Sequence, residues 1–408
     1  MKGPGVTAAG VTGTIVVVNS GSSSVKFELF DLAADGALAA RLEGRVEGIG
    51  THPRFLVRDA DGTTMVDEAH TGTDLDGAEA AQDLIGAWIQ EHGGGAPVAV
   101  GHRVVHGGLA YDRPVAIDDR VLAALEKLVP LAPLHQPHNL AAIRSIRRRR
   151  PDLLQVACFD TAFHRGHPEV ADRYALPEAF YAEGVRRYGF HGLSYEFIAD
   201  RLRTVAPDLA AGRTVVAHLG SGCSMCAIAG GRSVESTMGF TALDGLPMGT
   251  RPGALDPGVV LYLAMHDGMA PDAIQHLLYA DCGLKGLSGI SGDMRDLEAS
   301  DDPRARLALD YFAYRAAMAV GSLAAAMGGL DGLVFTAGVG ENAPAVRAAI
   351  VARLGFLGLA VDPEANARHD GRISPAGGPP VLVVPTDEEL MIARHTVAVL
   401  RARRGGGL

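Results

Sequence analysis

A chain of 408 residues exceeds what a single hydrophobic core ordinarily serves, so two or three domains are expected. With 48% hydrophobic and 21% charged residues, the composition is that of a folded globular protein and excludes wholesale disorder. Thirty-seven basic against 47 acidic residues leave a formal charge of −10, which argues against a nucleic-acid partner because such binding needs a basic face.

In chain order, residues 1–13 are rich in Gly, Ala and Thr and read as a mobile extension. The 23 uncharged residues between Lys2 and Lys26 contain only one short apolar run, Ile15-Val16-Val17-Val18, so no signal-peptide core is present. Short β-branched runs then alternate with Ala-rich stretches, which predicts an α/β fold. Strands are expected at 15–18, 97–100, 153–159, 214–219, 333–336 and 381–384. Helices are expected at 122–128, 140–149, 194–205, 306–327, 345–354 and 389–401. The basic run Arg147-Arg148-Arg149-Arg150 reads as the polar end of a helix stopped by Pro151, and Pro344 occupies a helix-opening position. From Ala316 to Leu330 the chain carries 15 uncharged residues, short of the roughly 20 that a membrane span requires. Four cysteines make no disulfide framework and fit a reducing cytoplasm.

One internal similarity stands out. Val18-Asn19-Ser20-Gly21-Ser22-Ser23-Ser24 aligns with Leu219-Gly220-Ser221-Gly222-Cys223-Ser224-Met225, each a strand, a small-residue turn and a second apolar run. The match predicts two related halves, each opening on a hairpin.

The residues next bound the chemistry. Only four lysines occur, and none precedes Ser or Thr, so a P-loop is excluded; the protein-kinase signatures are absent as well. Three Gly/Ser-rich turns follow expected strands instead: Asn19–Ser24 with Lys26 beyond it, Gly220-Ser221-Gly222, and a loop at Ala337–Asn342. Small residues let backbone N–H groups converge on an anion. The third loop also fits G-x-G-x-x-A with Asp362 about 20 residues on, the pattern of a dinucleotide site, although Pro344 falls where the fingerprint helix is already running. His102 with His106, His135 with His138, and His164 with His167 have metal-ligand spacings, but no carboxylate completes a short ligand set. Cys223 and Cys226 face opposite sides of an expected strand and read as packing. Arg103, Asp160 and Arg251 lie near strand ends, where α/β proteins gather their ligands, and two arginines beside an acid suit phosphoryl transfer.

Nine segments then resemble one family in its own order: N-S-G-S-S-S-V-K, G-H-R-V-V-H-G-G, P-L-A-P-L-H-Q-P-H-N, F-D-T-A-F-H, Y-G-F-H-G-L-S, H-L-G-S-G-C-S, M-G-F-T-A-L-D-G-L-P-M-G-T-R-P-G, G-V-G-E-N and P-T-D-E-E-L. Together they resemble the acetate kinases, from about Ile15 to Val399. The resemblance implies an α/β protein of two duplicated actin-like, ribonuclease H-like domains with a nucleotide cleft between them. The N-terminal domain would span 14–160, completed by the helix 389–408, and the C-terminal domain 161–388. It implies reversible phosphoryl transfer from ATP to acetate with Mg²⁺, for which Mn²⁺ can substitute, in a cytoplasmic homodimer with no membrane partner.

By the same resemblance, Asn19 and Glu388 would serve the metal and Lys26, Ser22 and Ser24 the phosphates. The nucleotide would lie against His218, Leu219, Gly220, Ser221 and Gly222, against Asp293, Met294 and Arg295, and against Gly338, Val339, Gly340, Glu341 and Asn342. Arg103 and Arg251 would hold the acetyl phosphate end, Asp160 would be the catalytic acid residue, and His191 with His135 would stabilise the transferring group. Val105, Leu134, Phe190 and Ala242 would surround the substrate methyl. A carboxylate nucleophile is already ionised at pH 7, so Asp160 is expected to orient rather than to abstract a proton. Three positions depart from the family pattern: Ser221 where Asn is usual, Met294 in the S-D-F-R element, and Ala242 where many members carry Pro. Propionate is therefore expected as a second substrate.

Overall fold

The computed structural model describes residues 11–21, 24–71, 75 and 77–405. Two compact units divide the chain, Met1–Ala162 together with Asp387–Leu408, and Phe163–Thr386. Most of the residues 1–13 expected as an extension therefore lie outside the described residues, and strand β1 already begins at Gly13. Glu388 opens the C-terminal helix Glu388–Gly405 and so belongs to the first unit.

The first unit holds eight strands: β1 (Gly13–Ser20), β2 (Ser24–Leu32), β3 (Leu38–Glu47), β4 (Arg54–Asp59), β5 (Thr64–Ala69), β6 (Ala99–Val104), β7 (Val115–Ala116) and β8 (Leu154–Phe159). Their order is β5-β4-β3-β2-β1-β6-β8-β7. β1, β6 and β8 are mutually parallel and almost wholly buried on both faces, as the apolar run Ile15–Val18 requires of β1, and the burial takes in His102 of β6 and Gln155 of β8. β2 instead alternates buried and more open positions because one face meets the core and the other does not. Phe27 and Phe55 pack with Trp88 from the helix Ala78–His92, with ring centroids 6.1–6.4 Å apart.

The second unit holds β9 (Arg213–Leu219), β10 (Cys223–Ala229), β11 (Arg232–Ser236), β12 (Gly332–Thr336) and β13 (Val381–Val383), in the order β11-β10-β9-β12-β13. The duplication expected from sequence is visible in topology. In each unit a hairpin (β1–β2, β9–β10) continues into a third antiparallel strand on one side, while on the other its first strand pairs in parallel with a later strand (β6, β12), which pairs in parallel with another (β8, β13).

Caps set the helix ends. The helix expected from residue 306 begins at Pro303, because the Asp302 side chain accepts from Arg304 N and proline suits the first turn. The helix Pro344–Val351 opens on the expected proline. One expectation is corrected: Ala337–Asn342 is not a loop but a short helix following β12 directly. Glu341 Oε1 accepts from Ala337 N at 2.8 Å and so holds the first turn from within, overriding the two glycines. Among the described residues no helix is long and apolar enough to cross a membrane. All four cysteines are free thiols.

Candidate active site

In the first unit, the parallel register of β6 and β8 pairs Val104 with Phe159 and so delivers Asp160, the next residue, beside Arg103. Arg103 Nε donates to both carboxylate oxygens of Asp160 at 3.0 and 3.1 Å, and Nη2 donates to Oδ2 at 2.7 Å. The Asp160 side chain is only 2% exposed. Glu388 Oε2 lies 3.8 Å from Arg103 Nε. Burial pushes the Glu388 carboxyl above its ordinary range, Arg103 works against that, and Asp160 adds to it. For Arg103 burial opposes the charge, but Asp160 and Glu388 outweigh it and hold the guanidinium protonated. Two carboxylates thus share one guanidinium, and burial brings Glu388 up to about 7, where it readily gains or loses its proton.

Asn19 sits opposite Lys26 in the β1–β2 register, and the turn closes through Gly21 N donating to Ser24 O at 2.8 Å. Ser22, assigned with Ser24 to phosphate, lies outside the described residues. Asn139 ties the hairpin to the end of β6: its Nδ2 donates to Ser20 O at 2.7 Å, and its Oδ1 accepts from Val105 N at 3.1 Å. Asn139 is carried by the helix Gln136–Arg149, which His135 immediately precedes. Val105 is buried, whereas Leu134 is exposed.

In the second unit, Gly222 is the point of closest approach. A Cβ there would stand 3.2 Å from His191 Nε2 and 3.6 Å from Arg251 Nη2. His191 holds the left-handed conformation at φ +58°, which costs a non-glycine residue on the order of 1–3 kcal/mol. Its Nδ1 is 2.8 Å from Ser224 Oγ and its ring stacks on His218 at 4.2 Å, so the Nε2 edge is the one turned to Gly222. His218 Nδ1 is in turn 2.8 Å from Ser194 Oγ. Arg251 Nη1 donates to Ala242 O at 2.9 Å. Burial pulls the Arg251 pKa down, and among the described residues no carboxylate pairs with it.

Gly220, Ser221, Met294, Gly338, Val339 and Asn342 line a cavity of about 700 Å³, within the size range of small-molecule sites. Asp293 and Arg295 border it too, but they pair with each other at 2.6 Å, and Asp293 also caps the helix Met294–Glu298. Leu219, Gly222, Gly340 and Glu341 do not line it. Leu219 is buried in β9, while the Glu341 carboxylate is turned onto the backbone N–H groups of Ala337 and Thr386. That carboxylate takes the amide that a dinucleotide-binding turn would present, so G-x-G-x-x-A is not such a turn here. Gly249, Thr250 and Phe312 also line the cavity and were not anticipated. The first two fall inside the M-G-T-R segment, in which only the arginine carries an obvious chemical signal. Phe312, inside a long helix, carries no sequence signal.

The acetokinase family profile matches residues 14–394. An acetate kinase of Nitrobacter hamburgensis is 58% identical over 391 residues, covering 96% of this chain and 97% of that protein. One from Rhizobium meliloti is 55% identical over 389 residues, covering 95% and 98%. The chain belongs to the acetokinase family.

Membership makes it a kinase, a phosphotransferase acting on a carboxyl group. Solved members share the fold. A Francisella tularensis propionate kinase superposes with a TM-score of 0.87 at 34% identity, covering 95% of this chain and all of that one. A Porphyromonas gingivalis acetate kinase superposes with a TM-score of 0.84 at 37% identity and the same coverage.

Proposed function

We propose that the chain transfers the γ-phosphoryl group of ATP to acetate, reversibly, and accepts propionate as well. The observation that carries this reading is the Arg251 guanidinium beside His191 Nε2 at Gly222. Among the described residues no carboxylate pairs with Arg251, so its guanidinium leaves positive potential for an anion. Repulsion between acetate and the triphosphate is the main obstacle to this reaction, since acetate needs no base to become a nucleophile. Arg251 and His191 hold the transferring group as its charge spreads, with His135 in a supporting role. Arg103 holds the carboxylate end. Asp160 already accepts three hydrogen bonds from Arg103, so its work is to fix that fork and not to remove a proton. The cavity beside Gly220, Met294 and Gly338 receives the nucleoside, and Lys26 with Ser24 the phosphates.

Mg²⁺ fits the first unit: Glu388 is a half-buried carboxylate that a cation would hold ionised, and Asn19 offers an amide oxygen, both hard ligands. When bound, the ion neutralises phosphate charge; Mn²⁺ would serve likewise. Val105, Leu134, Phe190 and Ala242 are assigned to the acyl group of the substrate, and alanine in place of proline at 242 would leave room for one more methylene.

We assign the chain to the cytoplasm on its four free thiols, and to a homodimer on the helix Pro257–Met265. That helix has no buried residue, and Leu261, Tyr262 and Met265 are 59%, 53% and 82% exposed. ATP-dependent trapping of acyl phosphate by hydroxylamine tests the activity. Acetyl hydroxamate should form rapidly, propionyl hydroxamate within tenfold, and butyryl hydroxamate far more slowly; absence of all three would overturn the reading.

A further inference from the structure

A buried polar group in the Phe163–Thr386 unit takes no part in the chemistry above. Ser233, on β11, is 2% exposed. Its hydroxyl lies 2.8 Å from His164 Nδ1, 2.6 Å from His167 Nε2 and 3.1 Å from Cys226 Sγ. His164 is fully buried, and its Nε2 is 2.9 Å from the carbonyl oxygen of Phe190.

The direction of every bond follows from the fact that a carbonyl oxygen only accepts. His164 Nε2 therefore carries a hydrogen. Burial, aided by His167, holds His164 neutral with a pKa down at about 3. Its Nδ1 is consequently an acceptor, and Ser233 donates to it. A hydroxyl has one hydrogen, so Ser233 accepts from His167 Nε2–H. Burial keeps His167 neutral too, at about 4, which leaves its Nδ1 bare. That nitrogen is buried and, among the described residues, has no hydrogen-bond partner. The Cys226 thiol, pushed up to about 12 by burial, supplies a hydrogen to the second lone pair of Ser233. One ordered chain results: His167 to Ser233 to His164 to the Phe190 carbonyl.

The chain ends on a strained corner. Gly189 has φ +73°, and a Cβ there would stand 2.6 Å from the His164 ring. Two residues on, His191 holds φ +58°. The Phe190 carbonyl and the His191 amide belong to one planar peptide, so holding that carbonyl in place sets the orientation from which His191 takes its left-handed turn. We infer that His164 is a positioning residue, which through the Phe190 carbonyl holds the peptide that aims His191 Nε2 at Gly222. The inference rests on the reading of His191 as the group that meets the transferring phosphoryl.

The test pairs two substitutions with one spectroscopic measurement. In His164→Gln the amide Nε2 can still donate to Phe190 O; in His164→Asn the shorter side chain cannot reach it. His164→Asn should lower kcat by roughly tenfold or more, since misplacement by about 1 Å can cost as much as 100-fold, with KM for ATP within twofold of wild type. His164→Gln should keep kcat within about threefold. Equal losses in the two variants would mean bulk packing and overturn the inference. If His164→Asn does not fold, the glutamine variant decides alone: a loss of tenfold or more overturns it, and a smaller loss supports it. Nitrogen-15 NMR of the histidine-labelled wild type, with His164 assigned by its disappearance in the glutamine variant, should show the Nε2–H tautomer. An Nδ1–H tautomer would overturn the chain whether or not the protein proves to be a kinase, which separates this failure from failure of the activity itself.

Discussion

Arg103 and Arg251 carry the same charge and are proposed for the same acyl phosphate, yet their surroundings differ. Arg103 is locked onto Asp160 by three hydrogen bonds and has Glu388 3.8 Å away. Arg251 donates to one neutral carbonyl, that of Ala242, and has a ring nitrogen of His191 nearby at Gly222. Burial acts against the charge of both, but only Arg103 has carboxylates that outweigh it. The first arginine is thus ordered and neutralised, the second desolvated and uncompensated. Charge available to an anion resides in Arg251, and geometry resides in Arg103.

The sharpest way to break that contrast is to remove each arginine in turn. Arg251→Ala should lower kcat/KM by about 100-fold or more while leaving the melting temperature unchanged or slightly higher, because a desolvated charge has gone. Arg251→Lys should recover little, since the planar fork is lost. Wild-type turnover in the alanine variant would sink the assignment. Arg103→Ala should also lose most activity, but here the fold suffers: Asp160 stays buried without its partner, at a cost of about 3–5 kcal/mol. Adding Asp160→Asn to that variant should restore part of the stability and none of the rate, which urea denaturation alongside the kinetic assay would read. Asp160→Asn alone should lower turnover without introducing a new acid limb in the pH profile of kcat.

Histidines sharpen the comparison at the level of the two units. His102 in the first unit, bonded to Gln155 at 2.8 Å, is pulled down by burial to about 4, and His164 and His167 in the second are at about 3 and about 4. Unfolded histidine titrates near 6.5. Below that pH the unfolded chain takes up protons that the folded chain does not, so stability is full above about pH 6.5 and declines toward pH 4. Each histidine should remove about 2 kcal/mol at pH 5. Comparing urea midpoints at pH 7.5 and pH 5, His102→Gln should flatten the difference by one such share; an unchanged difference would show that His102 is not held neutral.

The smallest effect is expected at the acyl pocket. Ala242→Pro keeps the carbonyl that receives Arg251 and adds ring carbons at the position proposed to meet the substrate methyl. The ratio of propionate to acetate kcat/KM should fall by up to about tenfold, the scale on which apolar pockets discriminate a methylene. An unchanged ratio would place acyl selectivity elsewhere.

Much of this is legible in the sequence alone. The runs at Ile15–Val18 and Val215–Ala217 are apolar without alternation, which a strand buried on both faces explains, and both lie in such strands. The paired small-residue turns foretold the repeated hairpin. What was not legible has specific causes. β3 and β5 are rich in charge and alanine, and the helix Ala78–His92 contains a glycine, so local preference is weak and pairing with β2 and β4 or packing of Trp88 decides. Ala337–Asn342 looked like a loop because two glycines outweighed a helix start that depends on the Glu341 side chain reaching back. Phe312 was invisible because the cavity it lines draws on residues nearly a hundred positions apart, Gly220 to Phe312.

By itself, then, the sequence determined the α/β alternation, the duplicated hairpins and the identity of the charged groups, because apolar periodicity and turn chemistry act over a few residues. The tertiary structure alone decided the protonation and direction of those groups. Whether an arginine is neutralised or bare, or which nitrogen of His164 bears its hydrogen, depends on burial and on partners that β-pairing brings from far along the chain: Asp160 lies 57 residues from Arg103, and Ser233 lies 69 from His164.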